Sequence, residues 1–140
     1  MITAVDTSVL LDVFSADSEF GARSADALRT CFAQGSLIAC EAVWAETAAS
    51  FGASTEAEAA FASLRIGFSA LDAAISLAVG EAWRVYRKAG GTRERVVADF
   101  LIGAHALARA DRLLTRDRGF YRSYFAELPI LDPADAQPTP

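Results

Sequence analysis

Two aspartates in the stretch VADFLIGAHALARADRLLTRDRGFYRSYF, residues 97–125, are placed for chemistry. Asp99 stands at the start of a strongly apolar helical segment. Asp117 lies in a polar turn just past a short strand, Arg112–Thr115. The turn after a parallel strand is where open α/β sheets place ligands, and two carboxylates delivered there from separate elements suit a hard cation. Two are too few to claim a site, and the rest of the chain supplies two further candidates. Asp6 directly follows the apolar run Ile2–Val5. Glu46 lies on the helix after a second such run, Leu37–Cys40, and has Ala42, Val43, Ala49 and Ser50 three and four residues away, with no lysine or arginine among them. Each acid alone has an ordinary explanation: Asp6 can cap the helical turn Val9–Phe14, Glu46 can be solvated, and Asp99 can pair with Arg95 at i−4. Asp12 reads as a solvated helix residue.

The elements that must position these acids alternate between strand and helix. Ile2–Val5, Leu37–Cys40, Leu113–Thr115 and Pro129–Leu131 read as strands, with Phe68–Leu71 as a further brief extended segment. Between them fall helical patterns over Asp17–Gln34, from Glu41, over Glu56–Arg65, from the cap Asp72 to Ala89, and from Val97. Gly90 and Gly91 end the fourth of these. Strands interleaved with helices of this length predict a mainly parallel sheet with helices on both faces. In such a sheet Asp6 and Asp117 share the carboxyl-terminal edge, and Glu46 and Asp99 can be drawn to it. Four carboxylates there repel unless a divalent cation sits among them. Mg²⁺ and Mn²⁺ prefer oxygen ligands, and such sites serve phosphodiester cleavage.

Composition narrows the alternatives. A chain of 140 residues with 53% hydrophobic content is long enough for one real core and too apolar for disorder. The compact domain is expected over residues 1–131, with DPADAQPTP (132–140) as a frayed tail. Cys31, Cys40 and the single histidine cannot build a zinc site of the usual kind. His105 lies six residues after Asp99, about 120° around the helix. It reads as a core or surface residue, and a Ser-His-Asp arrangement is excluded. No apolar run spans a bilayer and no basic leader follows Met1, so a reduced, cytosolic protein is expected. The net charge of −5 is unevenly spread: Arg84–Arg122 carries ten basic and four acidic residues, against three and fourteen elsewhere. That asymmetry can mark a polyanion-binding face on an acidic protein, although on charge alone solvated helix faces are the favoured reading.

Taken together, four segments resemble the PIN-domain ribonucleases, in particular the VapC toxins of prokaryotic toxin–antitoxin pairs. They are AVDTSVLLD (4–12), VWAETAASF (43–51), VADFLIGAHAL (97–107) and LLTRDRGFYRSYF (113–125), so the resemblance covers almost the whole chain. It implies a three-layer α/β/α PIN-like fold with a short central sheet, and a metal-dependent endoribonuclease. Asp6, Glu46, Asp99 and Asp117 would be the catalytic acids, with Thr115 as the family's supporting hydroxyl and Ser8 beside Asp6. It further implies Mg²⁺ or Mn²⁺ as cofactor, an RNA substrate, a cognate VapB-like antitoxin and a homodimer. Asp6 and Asp99 would be the main metal ligands, with Asp117 and Glu46 completing the site directly or through water. Arg93, Arg95, Arg116 and Arg118 are the candidates for holding the RNA backbone, which gives affinity without sequence choice. Two other readings stay open: a catalytically idle RNA- or protein-binding module on the same fold, and an aspartyl-phosphate phosphatase. The phosphatase would want an acid where the chain has Ser8, and a late lysine, whereas the only lysine is Lys88.

Overall fold

The computed structural model describes residues 1–91 and 97–135. Its sheet has five strands: β1 (Ile2–Val5), β2 (Ser36–Ala39), β3 (Ile66–Phe68), β4 (Arg112–Leu114) and β5 (Ile130–Leu131). They lie in the order β3-β2-β1-β4-β5, and every pairing is parallel. Ala4 in β1 is in register with Ile38 on one side and Leu113 on the other. The helices are α1 (Thr7–Phe14), α2 (Gly21–Gln34), α3 (Glu41–Ala48), α4 (Ser54–Ser63), α5 (Ala73–Lys88), α6 (Val97–Arg109) and α7 (Arg118–Tyr124). This is the α/β architecture expected from the alternating pattern, with the sheet parallel throughout the described residues.

The strand order places the site. The chain winds outward from β1 through β2 to β3, then returns across the sheet through α5 and α6 to β4 on the other side of β1. The direction of winding therefore reverses between β1 and β4, and ligands bind outside the carboxyl ends of strands at such a switch. Asp6 ends β1 and the turn 115–117 ends β4, so both acids flank that crevice. The Asp6 amide donates to the Leu114 carbonyl at 3.0 Å, which extends the ladder to the edge itself.

The core is apolar and continuous: Val5, Val9, Leu10, Phe61, Phe100, Leu113 and Leu114 are all buried. Phe100 meets Tyr86 and Phe120 edge-on, with ring centroids 5.4 and 5.1 Å apart, tying α6 to α5 and α7. Ile102, Gly103 and Ala106 line a buried, narrow face of α6 that permits close approach. Its partner at Gly103 is the Phe125 ring, since a Cβ at Gly103 would stand 2.4 Å from it.

Several boundaries differ from the sequence reading. The second helix begins at Gly21 rather than Asp17, because the Asp17 carboxylate accepts from the Glu19 and Phe20 amides and holds a turn there. The third strand is Ile66–Phe68, ending where the extended segment was expected to begin; Arg65, in the left-handed region at φ 57°, turns the chain directly from α4 into it. The turn after Asp117 continues into α7, which periodicity did not reveal in seven residues. Residues 132–135 are not frayed, since Arg118 pairs with Asp132 at 3.2 Å and Asp135 at 3.3 Å. The rest of the expected tail, 136–140, lies outside the described residues. No described helix is long and apolar enough to cross a membrane. Cys31 and Cys40 are free and buried.

Candidate functional site

Asp6 is the centre of the site, and its position follows from local structure. It caps α1, accepting from the Thr7 amide at 2.8 Å through Oδ1. Its other oxygen, Oδ2, accepts from the Thr115 hydroxyl at 2.6 Å and more distantly from the Ser8 hydroxyl at 3.4 Å. Thr115 in turn accepts from the Asp117 amide at 3.0 Å. One hydroxyl thus spans the crevice, fixing the turn that carries Asp117 against the end of β1. The cap reading of Asp6 and the site reading both hold, because the capping geometry is what presents the carboxylate to the edge.

The other acids surround it. Glu46 is exposed on the second turn of α3 and accepts from the Thr7 hydroxyl at 2.8 Å, so Thr7 holds two of the acids, one through its amide and one through its side chain. Asp99, in the first turn of α6, and Asp117 are half-buried. Asp6 is only 6% exposed. Burial, followed at a distance by the charges of Asp99 and Glu46, raises its carboxyl to about 6, against the lowering pull of its hydrogen bonds from Thr115 and Thr7. The structure thus brings three sequence-distant acids within electrostatic reach of one another, and Asp117 is linked to Asp6 through Thr115.

The donor set is all oxygen: four carboxylates with the Thr7, Ser8 and Thr115 hydroxyls. Among the described residues no three acidic, histidine or cysteine side chains stand close enough to enclose a metal ion by themselves. Mg²⁺ demands no such cage. It keeps several waters and is held by one or two carboxylates at a time, so an open ring of acids around a buried, proton-hungry Asp6 fits it. His105 is outside this chemistry. It is buried, its Nε2 lies 2.9 Å from the Ser69 hydroxyl, and burial holds it below its ordinary range.

The basic residues fall out differently from the sequence reading. Arg116 does not face solvent as a free cation: its Nε and Nη2 donate to the two oxygens of Asp12 at 2.7 and 2.9 Å, and its guanidinium lies 4.0 Å over the Phe20 ring. Asp12 accordingly is no surface acid. It is 4% exposed and also accepts from the Ser24 hydroxyl at 2.8 Å. Arg118 is engaged with Asp132 and Asp135. Arg112 points to the opposite edge of the sheet, donating to the Thr3 hydroxyl and the Gln34 side chain, and Arg109 pairs with Asp72 at 2.7 Å. Among the described residues of the basic span, Arg109, Arg112, Arg116 and Arg118 are thus engaged with partners inside the molecule, whereas Arg84, Arg87, Lys88 and Arg122 are exposed. Arg93 and Arg95 lie outside the described residues.

Sequence reasoning missed Thr7, Asp12 and Tyr121. Thr7 follows Asp6 directly and could have been found as a second hydroxyl beside the first acid. Asp12 carried no legible signal, because its partners Ser24 and Arg116 are 12 and 104 residues away. Tyr121 is fully buried four residues after Asp117, on a helix of seven residues that periodicity did not reveal.

Known proteins bear on this geometry. The family model described as the PIN domain matches residues 3–126. No curated protein matches. Among solved structures, VapBC2 of Rickettsia felis bound to a promoter DNA fragment is similar with a TM-score of 0.71 at 16% identity, covering 94% of this chain and 98% of that one. VapBC-1 of nontypeable Haemophilus influenzae gives 0.71 at 19% identity, with coverage of 96% and 100%. VapC20 of Mycobacterium tuberculosis, a toxin that cleaves the sarcin-ricin loop, gives 0.58 at 16% identity over 86% and 94%. Likeness at such identities speaks for the fold, whereas the family match spans nearly the whole described chain and includes all four acids. The chain belongs to the PIN-domain family.

Proposed function

We propose that this protein is a divalent-cation-dependent endoribonuclease of the VapC type, the toxin of a pair whose antitoxin is VapB-like. The observation that carries this reading is the buried Asp6, raised to about 6 with Asp99 and Glu46 among the causes, at the switch point of an all-parallel sheet. A carboxylate so disfavoured as an anion is poised to gain a cation. Mg²⁺ or Mn²⁺, when bound, would lower the pKa of a water and offset charge on the scissile phosphate. Asp6 and Asp99 would hold it, with Glu46 and Asp117 completing the set. Thr115 and Thr7 keep Asp6 and Glu46 oriented, and Ser8 adds a further donor toward Asp6. The family match and the likeness to VapBC complexes support the nuclease class and an antitoxin partner. A homodimer belongs to the same reading.

Contact with the RNA backbone is proposed for Arg93 and Arg95, which lie outside the described residues; Arg116 and Arg118 already pair with carboxylates. Log affinity for single-stranded RNA should fall with log salt at about −0.7 per phosphate neutralised, and Arg93→Ala with Arg95→Ala should flatten that slope. An unchanged slope in the double variant places the RNA elsewhere.

The test of function is cleavage of a mixed RNA pool with Mn²⁺, with EDTA, and by Asp99→Asn. Cleavage with Mn²⁺ alone, and none by the variant, is expected. Cleavage that survives EDTA overturns the metal-nuclease reading, and a protein that binds RNA without cleaving it in Mn²⁺ is the idle module. Mn²⁺ should also raise the melting temperature by binding the folded state, and a melting curve blind to millimolar Mn²⁺ counts against a site.

A further inference from the structure

Among the described residues, Trp44 Nε1, Thr47 Oγ1 and the Tyr121 hydroxyl are buried without a hydrogen-bond partner. Buried polar groups are nearly always paired, and each exception calls for an explanation. Tyr121 has one in its surroundings. Its side chain is 0% exposed on α7, packed against Phe120 and Phe125 with ring centroids 5.1 and 6.3 Å away. Those contacts leave little freedom for the ring and bury the hydroxyl with it. Four residues before it on the same turn-and-helix unit is Asp117.

We propose that Tyr121 is a fifth residue of the site, a positioning residue whose phenol O–H donates to an oxygen in the hydration shell of a divalent cation held by the acids. This rests on the reading of the four acids as a cation site. No carboxylate of the described residues comes within hydrogen-bond distance of the hydroxyl, so the acceptor is an oxygen lying between it and them. The electrostatics agree: burial first, and then the charges of Asp6, Asp99, Asp117 and Glu46, hold the phenol far above its ordinary range. It stays neutral, so its O–H remains available to donate. A neutral donor in that place orients an oxygen without adding a fifth negative charge.

The consequence separates from a packing role. Tyr121→Phe keeps the ring and its contacts and deletes the donor. Outer-shell partners of this kind typically alter metal affinity 10- to 100-fold, so Mn²⁺ affinity, read by electron paramagnetic resonance of the free ion, should fall by at least about 10-fold. Metal-free stability should stay level or rise, since an unpaired buried donor is removed. Tyr124→Phe, the same deletion at a half-buried tyrosine on the same helix, should change neither. Parent-like Mn²⁺ affinity in Tyr121→Phe overturns the inference and leaves the cation site standing. So does a lower metal-free melting temperature with unchanged affinity, which is the signature of packing alone. A parent protein that binds no Mn²⁺ overturns the site and this inference together.

Discussion

Asp6→Asn should abolish RNA cleavage while making the metal-free protein more stable than its parent above pH 6. The two effects have one cause. In the parent, Asp6 is buried and ringed by other carboxylates, so its pKa is raised from 3.8 to about 6. Between those values the folded chain keeps a proton that the unfolded chain has released. Stability is therefore present in full below about pH 4 and lost as pH rises through about 6. A shift of about two units corresponds to about 3 kcal/mol at neutral pH. Asparagine can still accept from the Thr7 amide, and Thr115 can rotate its hydroxyl to accept instead of donate. The variant thus avoids most of that cost without losing the cap, while the ligand charge is gone and cleavage should fall by at least about 10³-fold. Urea unfolding in EDTA at pH 4.5 and 7.5 is the check: parent and variant should differ little at the lower pH, with the variant ahead by about 2 kcal/mol or more at the higher. A variant less stable than the parent at pH 7.5 would show that Asp6 is held for structure.

How much of this was legible in the sequence depends on how local each signal is. β1, β2, β4 and β5 are short apolar runs bounded by polar turns, and all were readable to within a residue or two. The acids were legible because three of them sit where a strand ends or a helix begins, and position relative to such boundaries is a local property. Glu46 showed itself by what its neighbours lacked. Pairing over distance was not legible. Arg116 next to Asp117 has the composition of an RNA-binding turn, and Asp12 in TSVLLDVF has the spacing of a solvated helix face; only the packing of α1, α2 and the 115–117 turn makes them one half-buried ion pair. The same holds for Tyr121, whose burial depends on α7, a helix too short to announce itself by period.

That ion pair yields the second large effect: Asp12→Ala should destabilise the protein by about 2 kcal/mol and silence cleavage, although Asp12 touches none of the four acids. Asp12 is the buried member, its side chain 5% exposed, while Arg116 is 32% exposed; what is lost is a charge-assisted, two-point contact that holds the 115–117 turn. Ser24 loses its acceptor at the same time. The catalytic consequence follows from sequence adjacency, because Arg116 lies between Thr115, which donates to Asp6, and Asp117, whose amide is held by Thr115. Bolted to α1 through Asp12, this turn keeps the two acids in register across the crevice. Arg116→Ala should then resemble Asp12→Ala, and the double variant should cost less than the sum, with a coupling of about 1–3 kcal/mol. Arg116→Lys should not restore the parent, since an ammonium cannot make the two parallel contacts of the guanidinium. If Arg116 instead served RNA, Arg116→Ala would leave unfolding free energy unchanged and reduce the salt slope of RNA binding by about 0.7. Chemical denaturation of the four proteins of the cycle, run beside RNA binding at two salt concentrations, decides between a bolt and a phosphate contact.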